Sequence, residues 1–300
     1  CNHVMESVLN GDLDFLDGII AADTDQDLLR TLEVLEHLGK APFFHCLHIP
    51  FFKSERTLQF LTGEIRRTIA ALQKFGGTKI TEEALWSSID TFNQTRTLLG
   101  KVYELRKRDV PPLSGAEVLG ITTTSMIMPR GKFNNVLEEL LPYIVKRKTA
   151  LTQYRPRILI SGEELDHPGY LKIAEESCLI AMDDINTGSR YIHKNVNTSG
   201  KDPAYALAKR YLGRHGSSRM ADWDGQFDQI MKWIKEYRID GVLSMPLTWC
   251  YPQIMHLPFF TRRLKEEGIP NISINREYHL ANEGQLRTRI GAFVEMLTLS

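Results

Sequence analysis

One cysteine stands where chemistry is favoured. In LTWCYP (residues 247–252), Cys250 directly follows an apolar, strand-like run and directly precedes a proline-started helix. The positive end of a helix favours the thiolate, the form of cysteine that attacks carbon and binds metals. In an open α/β sheet, ligands gather beyond the carboxyl ends of the strands, and Cys250 occupies such an end. A second group is rich in carboxylates. AADTDQDLL (21–29) sets Asp23, Asp25 and Asp27 at alternate positions after the apolar run LDGII. A calcium loop of the EF-hand type needs a turn glycine and a bidentate Glu at position twelve; counted from Asp23, that place is Val34. The acids suit the start of a helix better, with Asp25 as N-cap and Asp27 in the positively polarised first turn. HCLH (45–48) puts Cys46 and His48 on one face of a strand. Both are zinc or iron ligand types, although such a pair is more often a core and a rim residue. DDINTGSRY (183–191) ends a strand in two acids, followed by a glycine turn and Arg190. It reads equally as a polar loop facing a substrate or as a turn closed by local side-chain bonds.

Other signatures are absent. There is no GxxxxGK phosphate loop, no GxGxxG, no HExxH and no GxSxG. The four cysteines, Cys1, Cys46, Cys178 and Cys250, form no CxxC pair. Without secretory signals they read as buried apolar residues rather than as a disulfide framework.

The elements that must position these groups are clearest in the second half. Strand-like runs at 157–162, 178–185, 240–247 and 269–275 alternate with helical patterns at 168–177, 202–212, 223–239, 252–268 and 283–297. The strands are continuously apolar, which implies a parallel sheet covered by helices on both faces. Asp202 and Pro203 mark a capped helix start. The first half shows strands at 17–22 and 42–49 around a helix at 26–39, then long helices at 54–75, 81–108 and about 115–150. Two strands are few for a stable sheet, and the sequence opens on Cys1 rather than Met. The expectation is therefore a chain whose natural start lies upstream. The expected fold is α/β: two Rossmann- or flavodoxin-like parallel-sheet domains joined by a helical layer. The boundaries are 1–53 for a partial N-terminal domain, 54–150 for the helical connection and 151–300 for the C-terminal domain.

With 42% hydrophobic and 25% charged residues, the composition is that of a water-soluble globular chain. Thirty-seven basic residues balance thirty-seven acidic ones, so nothing argues for a nucleic-acid or anionic-membrane partner. No apolar run approaches the length of a membrane span, and no signal peptide is expected. A cytoplasmic location is expected.

Six stretches together resemble one family: GDLDFLDGII, GGTKITEEALWSSIDTFNQTRTLLGKVYELRKRDVPPLSG, DDINTGSRY, DPAYALAKRYL, DGVLSMPLTWCYP and GQLRTRIGAFVEML. They are similar to subunits of the 2-hydroxyacyl-CoA dehydratase and benzoyl-CoA reductase family, in order and spacing, from Cys1 to about Leu297. The resemblance implies a [4Fe–4S] cluster held by three cysteines. Cys1 matches the first position. Cys250 matches the third, with Tyr251 in place of the usual Asp. At the second, an ungapped alignment brings Asp25 under the family's cysteine. Clusters want thiolates, and a carboxylate is a harder ligand. Three accounts stand: Asp25 ligates an iron, Asp25 caps its helix beside an open iron, or the cluster is absent and the subunit is a scaffold.

The chemistry that the resemblance implies is low-potential electron transfer to an acyl-CoA thioester. The wording of the first 52 residues resembles an ATP-dependent benzoyl-CoA reductase subunit most, and the reaction would yield a cyclohexadiene carboxyl-CoA. The alternatives are an (R)-2-hydroxyacyl-CoA dehydratase subunit working through a ketyl radical, and a scaffold without a cluster. Implied partners are a homologous sister subunit, ATP-hydrolysing activator subunits, reduced ferredoxin and the acyl-CoA substrate. His3, Glu6, His48 and Asp184 are candidate proton donors, with no ranking among them.

Overall fold

The structure is a computed structural model and describes residues 2–39, 41–148 and 155–299. In chain order the elements are α1 (Asn2–Leu9), β1 (Gly18–Ala22), α2 (Gln26–His37), β2 (Phe43–Leu47), α3 (Glu55–Gly76), α4 (Glu82–Leu105), α5 (Gly115–Ile127) and α6 (Arg130–Lys146). There follow β3 (Arg157–Gly162), α7 (Gly169–Ala174), β4 (Leu179–Asp184), α8 (Ser189–Ile192), α9 (Pro203–Leu212), α10 (Trp223–Glu236), β5 (Gly241–Met245), α11 (Tyr251–Glu266), β6 (Asn271–Ser273) and α12 (Glu283–Leu299). The class is α/β with parallel sheets, as expected. The single helix expected over about 115–150 is two. Pro129 pushes the residue before it out of the helical region, and Met128 is extended, at φ −84° and ψ 145°.

The chain packs as two units. Unit 1 takes in the described residues up to Ile89, with Val196–Gly213 and Arg219–Asp222; unit 2 takes in Asp90–Asn195, Arg214–Ser218 and the residues from Trp223. The helical stretch over 54–150 is divided between them, with α3 in unit 1 and α5 and α6 in unit 2.

In unit 1, β1 and β2 pair in parallel with Gly18 beside Phe43 and Ala22 beside Leu47. Parallel neighbours need a crossover, and α2 supplies it. Ser54 opens α3 with a reciprocal capping box to Thr57, which satisfies two orphan backbone groups at once. Leu61 of α3 then buries against Ala208 and Leu212 of α9, with Ile49, Leu58 and Ile65 around them.

In unit 2 the strand order is β4-β3-β5-β6, all parallel. Side chains alternate across the sheet, as a period of two requires. Leu159 and Val242 join Leu99, Ile230, Trp233 and Leu264 on one face. Ile158, Ile160 and Leu243 join Leu171, Ile290 and Phe293 on the other. Burial on both faces explains why β3, β4 and β5 read as unbroken apolar runs. The chain leaves β3 for β4 on one side and returns to β5 on the other. The topological switch therefore lies between β3 and β5, and a ligand crevice is expected beyond their carboxyl ends.

Candidate functional site

The parallel pairing of β1 and β2 brings Asp23 and His48 out of the sheet at the same edge. Asp23 uses both oxygens. Oδ2 meets Nδ1 of His48 at 2.7 Å, and Oδ1 accepts the backbone N–H of Ile49 at 2.8 Å. The backbone N–H of His48 donates to Oε2 of Glu64 on α3 at 3.3 Å. Asp25 has the extended backbone of an N-cap, φ −150° and ψ 138°, and its Oδ1 accepts the N–H of Asp27 at 2.9 Å. Its Oδ2 accepts from Nη2 and Nε of Arg219, at 3.2 and 3.3 Å. So the three acids of the opening run divide their work: Asp23 orients His48, Asp25 caps α2 and pairs with Arg219, and Asp27 lies in the first turn. Asp25→Ala is expected to lower thermal stability by about 1 kcal/mol through the lost cap, and Asp25→Ser to recover most of that in a melting experiment.

Cys46 pairs in register with Ala21, and burial and the Asp23 charge push its thiol up. His48 turns its Nδ1 to Asp23, and Cys46 and His48 form no metal pair here, in line with their reading as core and rim residues. Among the described residues, no group of three His, Cys, Asp or Glu side chains converges to hold a metal. Cys178 behaves as a core residue. It is buried and donates to the Ala174 carbonyl, and its thiol is pushed up to about 12 by burial and by Glu175.

At the strand ends of unit 2, the two acids of DDINTGSRY are locked inward. Asp183 accepts from Tyr103 Oη at 2.8 Å, Arg106 Nη1 at 2.7 Å and the Ser189 backbone N–H at 2.7 Å. A Cβ at position 188 would overlap the Asp183 carboxylate, so the turn needs glycine there. Asp184, fully buried, takes a bidentate pair from Arg190, both bonds at 2.7 Å, and accepts from Gln226 at 2.8 Å, with Nε2 of His215 at 3.3 Å. Burial alone would push Asp184 up. Arg190 and His215 outweigh it and hold the carboxyl far below the usual carboxylate range. The loop is thus a structural clasp and not a surface facing substrate.

Near the carboxyl ends of β3 and β5 a cavity of about 10 Å³ is bounded by Glu163, Ser218, Gln226, Ser244, Gln253 and His256. It has room for about one water. Gln226 Oε1 and Ser244 Oγ are buried without a hydrogen-bond partner there, and Ser218 Oγ donates to Glu163. His256 is pushed down to about 4 by burial and by Arg190, against a smaller opposing pull from Asp184. Its neutral form is the folded one. The stability it contributes is complete above its ordinary value of 6.5 and is lost as pH falls toward about 4. Urea titrations between those limits are expected to show that slope in the parent and to lose it in His256→Gln.

Cys250 sits where expected, at the carboxyl end of β5, as the N-cap residue of the 16-residue α11. It is buried, whereas its neighbours Trp249 and Tyr251 are exposed. Trp249 holds a left-handed backbone, φ 69°, a strained conformation that clusters at functional sites. Arg276 lies within electrostatic reach of the thiol, and its carbonyl accepts both the backbone N–H and the hydroxyl of Thr248.

Cys1 lies outside the described residues. For the iron–sulfur cluster that the resemblance implies, the donor chemistry divides. Cys250 fits, as a buried thiol at a helix N-terminus. Asp25 does not, because both its oxygens are committed within unit 1. Sequence reasoning missed Arg106, His215, Arg219 and Gln226. No local motif signals any of them.

A family profile described as "2-hydroxyglutaryl-CoA dehydratase, D-component" matches residues 1–297. The chain is 26% identical to a subunit of benzoyl-CoA reductase from Thauera aromatica, across 98% of this chain and 78% of that protein. It is 24% identical to the (R)-phenyllactyl-CoA dehydratase beta subunit of Clostridium sporogenes, with the same two coverages. It is also 24% identical to the beta subunit of (R)-2-hydroxyglutaryl-CoA dehydratase from Acidaminococcus fermentans, across 98% of this chain and 79% of that one.

Proposed function

The chain belongs to the 2-hydroxyglutaryl-CoA dehydratase D-component family, and from that premise we propose that it is a subunit of an ATP-dependent benzoyl-CoA reductase. In this reading the assembled enzyme passes low-potential electrons to an aromatic acyl-CoA thioester and yields a cyclohexadiene carboxyl-CoA. The observation that carries the choice is Asp25. The resemblance puts a cysteine at this position in dehydratase subunits, whereas here a carboxylate is spent on its own helix and on Arg219.

A [4Fe–4S] cluster is part of the reading. Cys250, at the start of α11, is its described thiolate. When bound, such a cluster supplies one electron at low potential. The protein's own part is to bury Cys250 at the start of α11 and to hold the strand-end loops rigid through the Asp184–Arg190 clasp. The partners in this reading are a homologous sister subunit, ATP-hydrolysing activator subunits and reduced ferredoxin.

A second reading, a 2-hydroxyacyl-CoA dehydratase subunit, is favoured by the dehydratase beta subunits among the relatives. The deciding experiment assembles the complex without oxygen, with ATP and reduced ferredoxin, and offers benzoyl-CoA beside a 2-hydroxyacyl-CoA. Formation of the cyclohexadiene product supports the reductase; an enoyl-CoA product alone replaces it with the dehydratase. Iron and acid-labile sulfide analysis of the same preparation tests the cluster, and intact turnover without iron in this chain would make it a scaffold.

A further inference from the structure

We propose that His48, held in a single tautomer by Asp23, is the proton-transfer residue of this subunit, delivering protons from Nε2 to a substrate at the carboxyl ends of β1 and β2. The proposal rests on the reading above, that the complex reduces an acyl-CoA, since each electron taken up by such a substrate calls for a proton.

The geometry singles out this histidine. An ionised carboxylate only accepts, so the 2.7 Å bond to Asp23 places a hydrogen on Nδ1 of His48 and leaves Nε2 to exchange the catalytic proton. This is the orienting logic of a general acid–base histidine, in which a carboxylate sets the tautomer and steadies the charged ring. The support is built on both sides. Asp23 also takes the N–H of Ile49, and Glu64, itself paired with Arg67, takes the N–H of His48. Although the backbone around the ring is clamped, the His48 side chain stays 43% exposed, enough for a substrate or water to reach Nε2. The site lies beyond the ends of parallel strands, where α/β sheets hold ligands. Charged or titratable groups close to it are Asp23 just after β1, Glu64 and Arg67 from α3, and His45 and Cys46 from β2.

The other candidates lack one property or another. Asp184 is buried and saturated by Arg190, Gln226 and His215. His3 faces Glu6 at 3.6 Å on one exposed turn of α1, within a helix rather than at the ends of parallel strands. Glu6 is the partner of His3 on that turn, and His45, near His48, bonds Thr68 and stacks on Phe43.

The substrate gains one electron, delivered at low potential through the complex from reduced ferredoxin, and one proton from Nε2–H of the imidazolium. The ring becomes neutral, keeps its Nδ1–H on Asp23 and regains a proton at Nε2 from water. A second electron and a second proton by the same route complete a two-electron reduction.

The test uses the assembled complex with benzoyl-CoA. His48→Asn keeps an N–H for Asp23 but cannot transfer a proton; kcat is expected to fall by about 100-fold or more, within the range of general acid catalysis, while KM changes little. His48→Gly is expected to fall as far and to recover in part when imidazole is added, which a merely structural role would not produce. Parent-like kcat in His48→Asn, or an assembled His48→Gly complex that ignores imidazole, would overturn the proposal. If the parent complex dehydrates a 2-hydroxyacyl-CoA and leaves benzoyl-CoA unreduced, the functional reading falls alone. The same variants on that substrate then decide His48 separately. A parent complex active on neither substrate overturns both.

Discussion

Asp184→Ala is expected to destabilise the chain by about 3–5 kcal/mol, the cost of breaking a buried ion pair, with only Glu163, 3.6 Å away, left as a buried carboxylate for Arg190. Arg190 would lose both charge-assisted bonds, and Gln226 and His215 would lose their shared acceptor. Asp184 is fully buried, so water cannot replace what is lost. Arg190→Met should cost a similar amount. The double variant should cost clearly less than the two singles together, because each removes the charge that the other strands. Urea unfolding of the four proteins closes that cycle, and strict additivity would refute the clasp. The pH dependence has a defined sign. The folded carboxyl titrates far below its ordinary value, so its contribution is complete above about pH 4 and is lost as pH falls below that. Asp184→Asn should flatten the acid limb of the stability curve and leave neutral pH as its weakest region relative to the parent.

Cys250→Ala carries the largest expected effect on function. In the complex prepared without oxygen, this variant should lose iron and fall at least about 100-fold in turnover, since even the outer partners of metal ligands are worth 10–100-fold. The thiol is small and sits at a helix start, so circular dichroism and assembly should be preserved. Asp25→Ala is the paired control. Its carboxylate already serves the α2 cap and Arg219, so iron content should match the parent while melting falls by only about 1 kcal/mol. If iron is lost from Asp25→Ala and kept in Cys250→Ala, the assignment of both residues is wrong. Asp25→Cys sharpens the comparison: a thiolate at this place should tighten iron binding if the cluster has an open position there, and should leave it unchanged if no cluster is bound.

Much of the architecture was legible in the sequence because its causes are local. The continuous apolar runs of β3 and β4 could be read because both faces of those strands are buried. Asp25 and Asp202 were recognisable as caps because a cap bonds groups only two or three residues away. Cys250 could be placed at a strand end from the strand before it and the Pro252 turn after it. The break between α5 and α6 was missed although Pro129 announces it, because the apolar period continues on both sides.

Partnership was not legible. DDINTGSRY carries the same letters whether its acids face solvent or core. What decides is that α4 delivers Tyr103 and Arg106 to Asp183, and α10 delivers Gln226 to Asp184. Asp23 meets a histidine 25 residues away, and Asp25 an arginine 194 residues away. The sequence by itself determined periodicity, caps, the α/β class and the family, since each of these is written in neighbouring residues or in an ordered set of stretches. Only the tertiary structure decided that Asp23 orients His48 and that Asp25 is spent on Arg219. Those choices depend on which distant backbone segments the sheets bring within about 3 Å of a side-chain oxygen, and no local spacing encodes that distance.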